Sequence, residues 1–212
     1  NNTKIQKDWK KHGFSLTVLD ISSVIYSSLA PLIIGFLLSI DQVAIYSVAF
    51  QIVSVFILLT ISISEVFLPR LYRSKNEFII KEVIIIFIIS FSIPIILAFV
   101  IEIPILIIFT EKYALAVQYC QLFLFVIPFK ILTFFLGSFL IKHNRNKEIN
   151  VSKLFTIIGT ILLQIILIPI LGIYGAIIGL FAYHIIQNIS MIIIIYSILK
   201  GFKVTDSSPL LM

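Results

Sequence analysis

The chain has 212 residues, of which 60% are hydrophobic and 12% charged, with a formal net charge of +6 and a mean hydropathy of +1.15. An ordinary globular domain carries about a quarter charged residues and about half apolar ones. This composition excludes a water-soluble fold and predicts an integral membrane protein. Its basic excess is explained by loops on one side of the membrane, without a nucleic-acid partner.

Segments without Asp, Glu, Lys or Arg mark the transmembrane helices. A bilayer core about 30 Å thick needs about 20 apolar residues per helix. The uncharged run of 46 residues over 154–199 therefore holds two spans, and Pro169 to Gly172 is the expected break between them. The sequence predicts an all-α membrane protein, a bundle of six transmembrane helices over residues 14–40, 42–68, 80–101, 114–141, 152–170 and 173–199.

Prolines within these spans predict local bends. Proline removes a backbone donor and crowds the preceding turn, so we expect bends at Pro31, Pro94 and Pro128. The apolar segment Ile103–Phe109 contains a further proline and follows a glutamate. It is expected to form an interfacial turn or a short helix and not a seventh span.

Charge divides the chain into a basic segment over residues 1–13, the helical lobe over 14–199 and a tail over 200–212. Fourteen of the sixteen basic residues precede the first helix or follow the second, fourth and sixth, which is one side of the membrane if the helices alternate. Cytoplasmic loops collect Lys and Arg, so both termini are predicted to be cytoplasmic. Because the chain begins with Asn1 and not Met, we expect it to be the C-terminal part of a longer protein.

Lys130 is the sharpest candidate for a functional residue. It lies about 18 Å from Lys142 at the predicted cytoplasmic end of its helix, which is too far for its side chain to reach the interface. A charge at that depth costs on the order of 2.5 kcal/mol or more unless it faces water or a partner. Lys130 is therefore predicted either to face a polar cavity for an anionic substrate or to pair with Asp20 or Glu65.

Further polar residues recur at helical spacing on the predicted spans. Asp20 on the first helix and Gln51 and Glu65 on the second are expected to share a cavity with Lys130, although packing between helices explains the neighbouring serines as well. In the sixth helix, His184, Gln187 and Asn188 cluster near mid-membrane. A proton relay would need a carboxylate beside the histidine, so a buried, hydrogen-bonded His184 is the simpler interpretation.

Several motifs of catalysis are absent from the sequence. It has no phosphate-cradling G-x-x-x-x-G-K-[ST] loop, no cluster with metal-ligand spacing and no G-x-S-x-G or H-E-x-x-H motif. The single Cys120 falls within a predicted span, where it acts as a small hydrophobe. An enzymatic activity, a cofactor and a metal site are therefore not expected.

Three segments of the chain carry a family resemblance, namely LSIDQVAIYSVAFQIVSVFILLTISISEVFLPRLYR, IFTEKYALAVQYCQLFLFVIP and IPILGIYGAIIGL. In this order they resemble the region of the seventh and eighth helices, the outer turn and tenth helix, and the junction of the last two helices of polysaccharide (O-antigen type) flippases. The resemblance covers essentially the whole chain in layout. It implies the C-terminal lobe, helices seven to twelve, of a twelve-helix protein of two lobes in the bacterial cytoplasmic membrane.

Such flippases move undecaprenyl-pyrophosphate-linked sugar repeat units to the outer leaflet, so the resemblance implies this lipid-linked oligosaccharide as substrate and an N-terminal six-helix lobe as partner. Lys130 would then meet the pyrophosphate. Two alternatives stay open. A cation-coupled multidrug antiporter of the same superfamily would use membrane carboxylates such as Asp20 and Glu65, and a non-transporting membrane subunit would use every polar group for packing.

Overall fold

The computed structural model describes residues 28–69, 76–108 and 113–206, together with residues 13, 17, 21 and 24. Within these ranges the backbone is helical apart from short turns, and no strand occurs. The helices are α1 Ser28–Leu37, α2 Ile40–Glu65, α3 Asn76–Ser90, α4 Ser92–Val100, α5 Glu102–Ile108, α6 Ala114–Leu124, α7 Val126–Lys142, α8 Asn146–Leu171 and α9 Ile173–Asp206.

Five helical segments of the described chain are long and apolar enough to cross a membrane. They are Ile40–Glu65, Lys81–Val100, Ala114–Lys142, Asn146–Leu171 and Ile173–Ile198. These segments correspond to the second to sixth predicted spans. The first predicted span, 14–40, lies largely outside the described residues, and α1 is its described end.

Two of the spans are interrupted three residues before a proline. The break between α3 and α4 falls at Phe91, ahead of Pro94, and the break between α6 and α7 falls at Phe125, ahead of Pro128. At both breaks the N–H donates to the carbonyl three residues back, at 3.2 Å for Phe91 and 3.1 Å for Phe125. Proline crowds the preceding turn, which tightens there, so the predicted bends at these two prolines coincide with real interruptions. The helix α1 continues through Pro31 without one.

A cluster of aromatic rings joins the two interrupted spans. Phe87, Phe91 and Phe129 contact one another edge to face, with ring centroids 5.2 to 6.0 Å apart. Phe181 on α9 packs on Phe129 in the same manner. Edge-to-face pairs contribute about 0.5–1.5 kcal/mol each beyond their buried area. The cluster therefore holds α3, α7 and α9 together beside both breaks.

The turn between α8 and α9 depends on glycine. Gly172 has φ 60° and ψ −137°, a backbone conformation that glycine adopts without steric cost. Beyond the turn, a Cβ on Gly175 would lie 2.5 Å from the Leu167 carbonyl oxygen, so the two helices approach closely there. Both features confirm the break expected near Pro169 to Gly172. The absence of a side chain at Gly175 thus permits close packing of α8 and α9.

The span formed by α6 and α7 lies at the centre of the packing. The helix α6 packs on α2 and α4, α7 packs on α3 and α9, and α9 packs most extensively on α8. Large apolar side chains such as Ile88, Phe155 and Ile193 remain exposed on the outer faces of α3, α8 and α9. A surface of this kind suits lipid and not water. The chain is thus an all-helical, multi-pass membrane protein.

Candidate functional site

A cavity of about 480 Å³ lies among α1, α2, α7, α8 and α9. Its walls are largely apolar and aromatic, with Tyr46 and Phe50 of α2 on one side. The helices α7, α8 and α9 contribute the polar part of the lining, which includes Lys130, Thr133, Lys153, Gln164, His184 and Gln187. Predominantly apolar walls with a few convergent polar groups are typical of a ligand site.

The charged lining of this cavity is exclusively basic among the described residues. Lys130 and Lys153 line it, and no described Asp or Glu does. The pairing of Lys130 with Glu65 that the sequence allowed is not formed, because Glu65 is exposed near the end of α2. Asp20, the other proposed partner, lies outside the described residues. The described charged lining of the cavity is therefore positive.

Thr133 and Asn188 connect α7 to α9 behind the cavity. Thr133 Oγ1 lies 2.8 Å from Asn188 Oδ1, to which it donates, and Asn188 Nδ2 donates to the Phe129 carbonyl at 3.0 Å. Both polar ends of the Asn188 amide are therefore used within the protein. His184 is buried, lines the cavity and places Nδ1 3.5 Å from the Thr133 hydroxyl.

Two glutamine amides that line the cavity carry polar atoms without hydrogen-bond partners in the described structure. Gln187 is 1% exposed, and neither its Oε1 nor its Nε2 has a partner. Gln164 is also 1% exposed; its Oε1 is unpartnered and its Nε2 reaches only the Ala176 carbonyl, at 3.5 Å. Gly179 makes room for Gln164, since a Cβ there would lie 2.4 Å from Gln164 Cγ. An unsatisfied buried polar group costs about 1–3 kcal/mol.

The structure separates the six predicted site residues. Lys130 and His184 line the cavity, and Asn188 lies beside Thr133. Gln51 and Glu65 are exposed and do not line it, so the cavity that they were expected to share with Lys130 is not formed within the described chain. The cause is the helical period, which places Gln51 about 200° around α2 from the buried Ala49 and Val53. A role for these residues in substrate binding stays a prediction.

Lys153 is a cavity residue that the sequence prediction missed. The charge pattern groups it with the basic connection after the fourth predicted helix, and the fifth predicted helix, 152–170, begins only one residue before it. In the structure α8 begins at Asn146 and carries Lys153 two turns inside. Thr156, Thr160 and Gln164 recur every four residues, and their side chains are buried on the same side of α8. Lys153 lies three residues before Thr156 and so continues this stripe toward the N-terminus of α8. That spacing is the sequence feature from which Lys153 could have been predicted to face the same side.

The fold and the cavity define a class of protein, namely a multi-pass helical membrane protein with a basic internal cavity. Comparison with protein-family models, with curated proteins and with solved structures finds no match for this chain.

Proposed function

We propose that this chain is the C-terminal lobe of a flippase that carries undecaprenyl-pyrophosphate-linked oligosaccharide units across the bacterial cytoplasmic membrane. The observation that carries the proposal is the cavity whose described charged lining consists of Lys130 and Lys153 alone. A pyrophosphate crossing a bilayer needs cationic partners, because ionic groups in hydrocarbon are costly. Lysine ammonium groups supply charge-assisted hydrogen bonds to such an anion.

The two lysines stand at different depths of the same cavity. Lys153 lies about 10 Å along α8 from its first residue, whereas Lys130 lies about 18 Å from the end of α7. The turn between α7 and α8 joins those ends. An anion entering from that side thus meets Lys153 first and Lys130 second. Two cationic contacts at successive depths suit an anion that passes through the cavity better than one that stays bound at a single position.

The two alternatives explain the described cavity less well. A cation-coupled antiporter needs a carboxylate in the transport cavity, and no described acidic side chain lines this one. A purely structural subunit would be expected to neutralise a membrane-embedded lysine, yet Lys130 has no ion pair with a described carboxylate. Both observations favour transport of an anion.

The exposed polar positions of α2 fit a second lobe. Gln51 lies about 16 Å from the start of α2, which is near the middle of the span, and its side chain is exposed. Lipid offers a carboxamide no partner, so a protein or an aqueous passage is expected beside it. We therefore propose that Gln51 and Glu65 face the passage between this lobe and the N-terminal lobe that the flippase resemblance implies.

Complementation of a strain that lacks its own flippase tests this function. The full-length gene is expected to restore surface polysaccharide, read on a gel. Lys130→Ala is expected to abolish export because the anion loses its deepest partner, and Lys130→Arg to retain part of it. Lys147→Ala is the matched control, since Lys147 is exposed in the first turn of α8. Immunoblotting of membranes verifies insertion of each variant, and wild-type export in Lys130→Ala would contradict the proposal.

A further inference from the structure

The amide groups of Gln164 and Gln187 carry buried atoms without partners, and an anion bound by the cavity lysines would not account for all of them. Three polar atoms of these two side chains are buried and lack partners among the described residues, namely both Oε1 atoms and Gln187 Nε2. Among the other buried amides of the described residues, Gln42 Oε1 also lacks a partner, but Gln42 does not line the cavity. Gln121 and Asn188, by contrast, use their amides within the protein. Gln121 Nε2 donates to the Ala98 carbonyl at 3.1 Å, and both ends of Asn188 are used. What distinguishes the amides of Gln164 and Gln187 is their position, because both side chains line the cavity.

Buried polar groups in native proteins almost always have partners, so exceptions beside a cavity point to a ligand. The terminal torsion of glutamine is broad, and a modest rotation turns the amide toward the cavity. The arrangement is therefore that of a site whose polar groups are satisfied when the cavity is filled.

The hydrogen-bonding chemistry of these atoms selects the kind of ligand group. The two Oε1 atoms are acceptors and need a donor from the ligand. Oxygens of an ionised pyrophosphate carry no hydrogen and therefore cannot satisfy them. Sugar hydroxyls donate and accept, and an acetamido N–H donates. The glutamine Oε1 atoms therefore need a part of the substrate that carries hydrogen-bond donors, and that part is not the pyrophosphate.

We infer that the carbohydrate part of the substrate binds beside Gln164 and Gln187, while its anionic part contacts Lys130. This inference rests on the proposed flippase function and adds to it the residues that recognise the sugar. Lys130 projects from α7, whereas the two amides project from α8 and α9. The aromatic rings of Tyr46 and Phe50 on α2 also line the cavity and provide apolar surface of the kind on which sugar rings pack.

Binding of two soluble probes to the full-length protein in lipid nanodiscs tests the inference. The probes are N,N′-diacetylchitobiose for the sugar part and inorganic pyrophosphate for the anionic part, each titrated by saturation-transfer NMR. Gln187→Met and Gln164→Met are each expected to weaken the saccharide about tenfold, as the loss of one or two hydrogen bonds predicts, and to leave pyrophosphate within about twofold. Lys130→Met is expected to produce the converse pattern.

Gln121→Met is the matched control, because it removes an amide that has a structural partner outside the cavity. It is expected to lower the unfolding temperature and to leave saccharide affinity unchanged. Gln187→Met removes no internal partner and should unfold at or above the wild-type temperature. A lower unfolding temperature for Gln187→Met would assign its amide a structural role and overturn the inference.

Three further results would also overturn it. They are unchanged saccharide affinity in both cavity variants, absence of saccharide binding to the wild type at millimolar concentration, and loss of pyrophosphate affinity in the glutamine variants. None of these results depends on export. Failure of the flippase proposal appears instead as wild-type export in Lys130→Ala, so the two failures are distinguishable.

Discussion

Lys130 and Lys153 share a cavity but not an environment. Lys130 lies deep in the span, where screening by water and salt is weak, and Lys153 lies nearer the turn between α7 and α8. A charge in the less screened position interacts more strongly with a bound anion. The two lysines should therefore contribute unequally to transport.

Replacement of Lys153 tests this inequality. Lys153→Met is expected to reduce export several-fold without abolishing it, because the deeper ammonium of Lys130 remains. The measurement is the initial rate of surface polysaccharide appearance after induced expression, with Lys147→Met as the exposed control on the same helix. A complete loss of export in Lys153→Met would mean that Lys153 and not Lys130 holds the essential anion contact.

Asn188 is expected to contribute to stability through its two hydrogen bonds to α7. Asn188→Leu removes both and leaves the Thr133 hydroxyl with the Phe129 carbonyl of its own helix, at 2.8 Å, and His184 Nδ1 of α9, at 3.5 Å. We expect the free energy of unfolding in mixed micelles to fall by about 1–2 kcal/mol, since hydrogen bonds between transmembrane helices are worth about 0.6 kcal/mol on average. Gln118→Leu, at an exposed position of α6, should change it little.

The sequence identified some residues of the cavity and not others, for physical reasons. Lys130 was identified because a charged side chain far from both helix ends cannot reach the membrane interface and must face a cavity or a partner within the protein. For Gln51, the polar stripe indicates a face of α2 but not the neighbour that the face meets, and the side chain is exposed and does not line the described cavity. Gln187 and Asn188 are neighbouring buried amides, but only Asn188 has hydrogen-bond partners in the described structure. No sequence pattern reports that difference.

At the scale of elements, glycine sets the distance between α8 and α9. Gly175→Ala is expected to lower the free energy of unfolding by about 1–3 kcal/mol, because its Cβ would collide with the backbone of Leu167 and force the helices apart. Gly159→Ala on α8 is the control, since nothing lies within 4 Å of the added Cβ. That change should be neutral or stabilising by up to about 1 kcal/mol. Equal effects of the two changes would show that close approach is not limiting.

Most helix positions followed from uncharged length and from proline and glycine. The breaks before Pro94 and Pro128 and at Gly172 were predictable because each follows from local sterics. The start of α8 was not, because the sequence set it at the end of a basic stretch. A helix extends beyond the hydrocarbon wherever its backbone bonds remain satisfied, and its long basic side chains can follow. The residue at which a helix begins can therefore lie outside the residue at which the chain enters the hydrocarbon, and the charge pattern indicates only the second.

For the whole molecule, the charge distribution predicts how the bundle sits in the membrane. With Lys147 on the cytoplasmic side, a membrane-impermeant maleimide should not label Lys147→Cys in intact cells and should label it after permeabilisation. Leu171→Cys, exposed at the opposite end of α8, should react in intact cells. The native Cys120 is buried and provides little background. The reverse labelling pattern would invert the orientation proposed for the cavity.

The ring cluster of Phe87, Phe91 and Phe129 bears on how this chain can diverge. Because those rings fill the space beside two helix interruptions at once, a smaller residue at one position leaves a void that only a larger neighbour can fill. Positions 91 and 129, distant in the chain, should therefore vary together among related sequences, with total ring volume held nearly constant. The two helix interruptions that precede Pro94 and Pro128 would then be retained or lost together among related sequences.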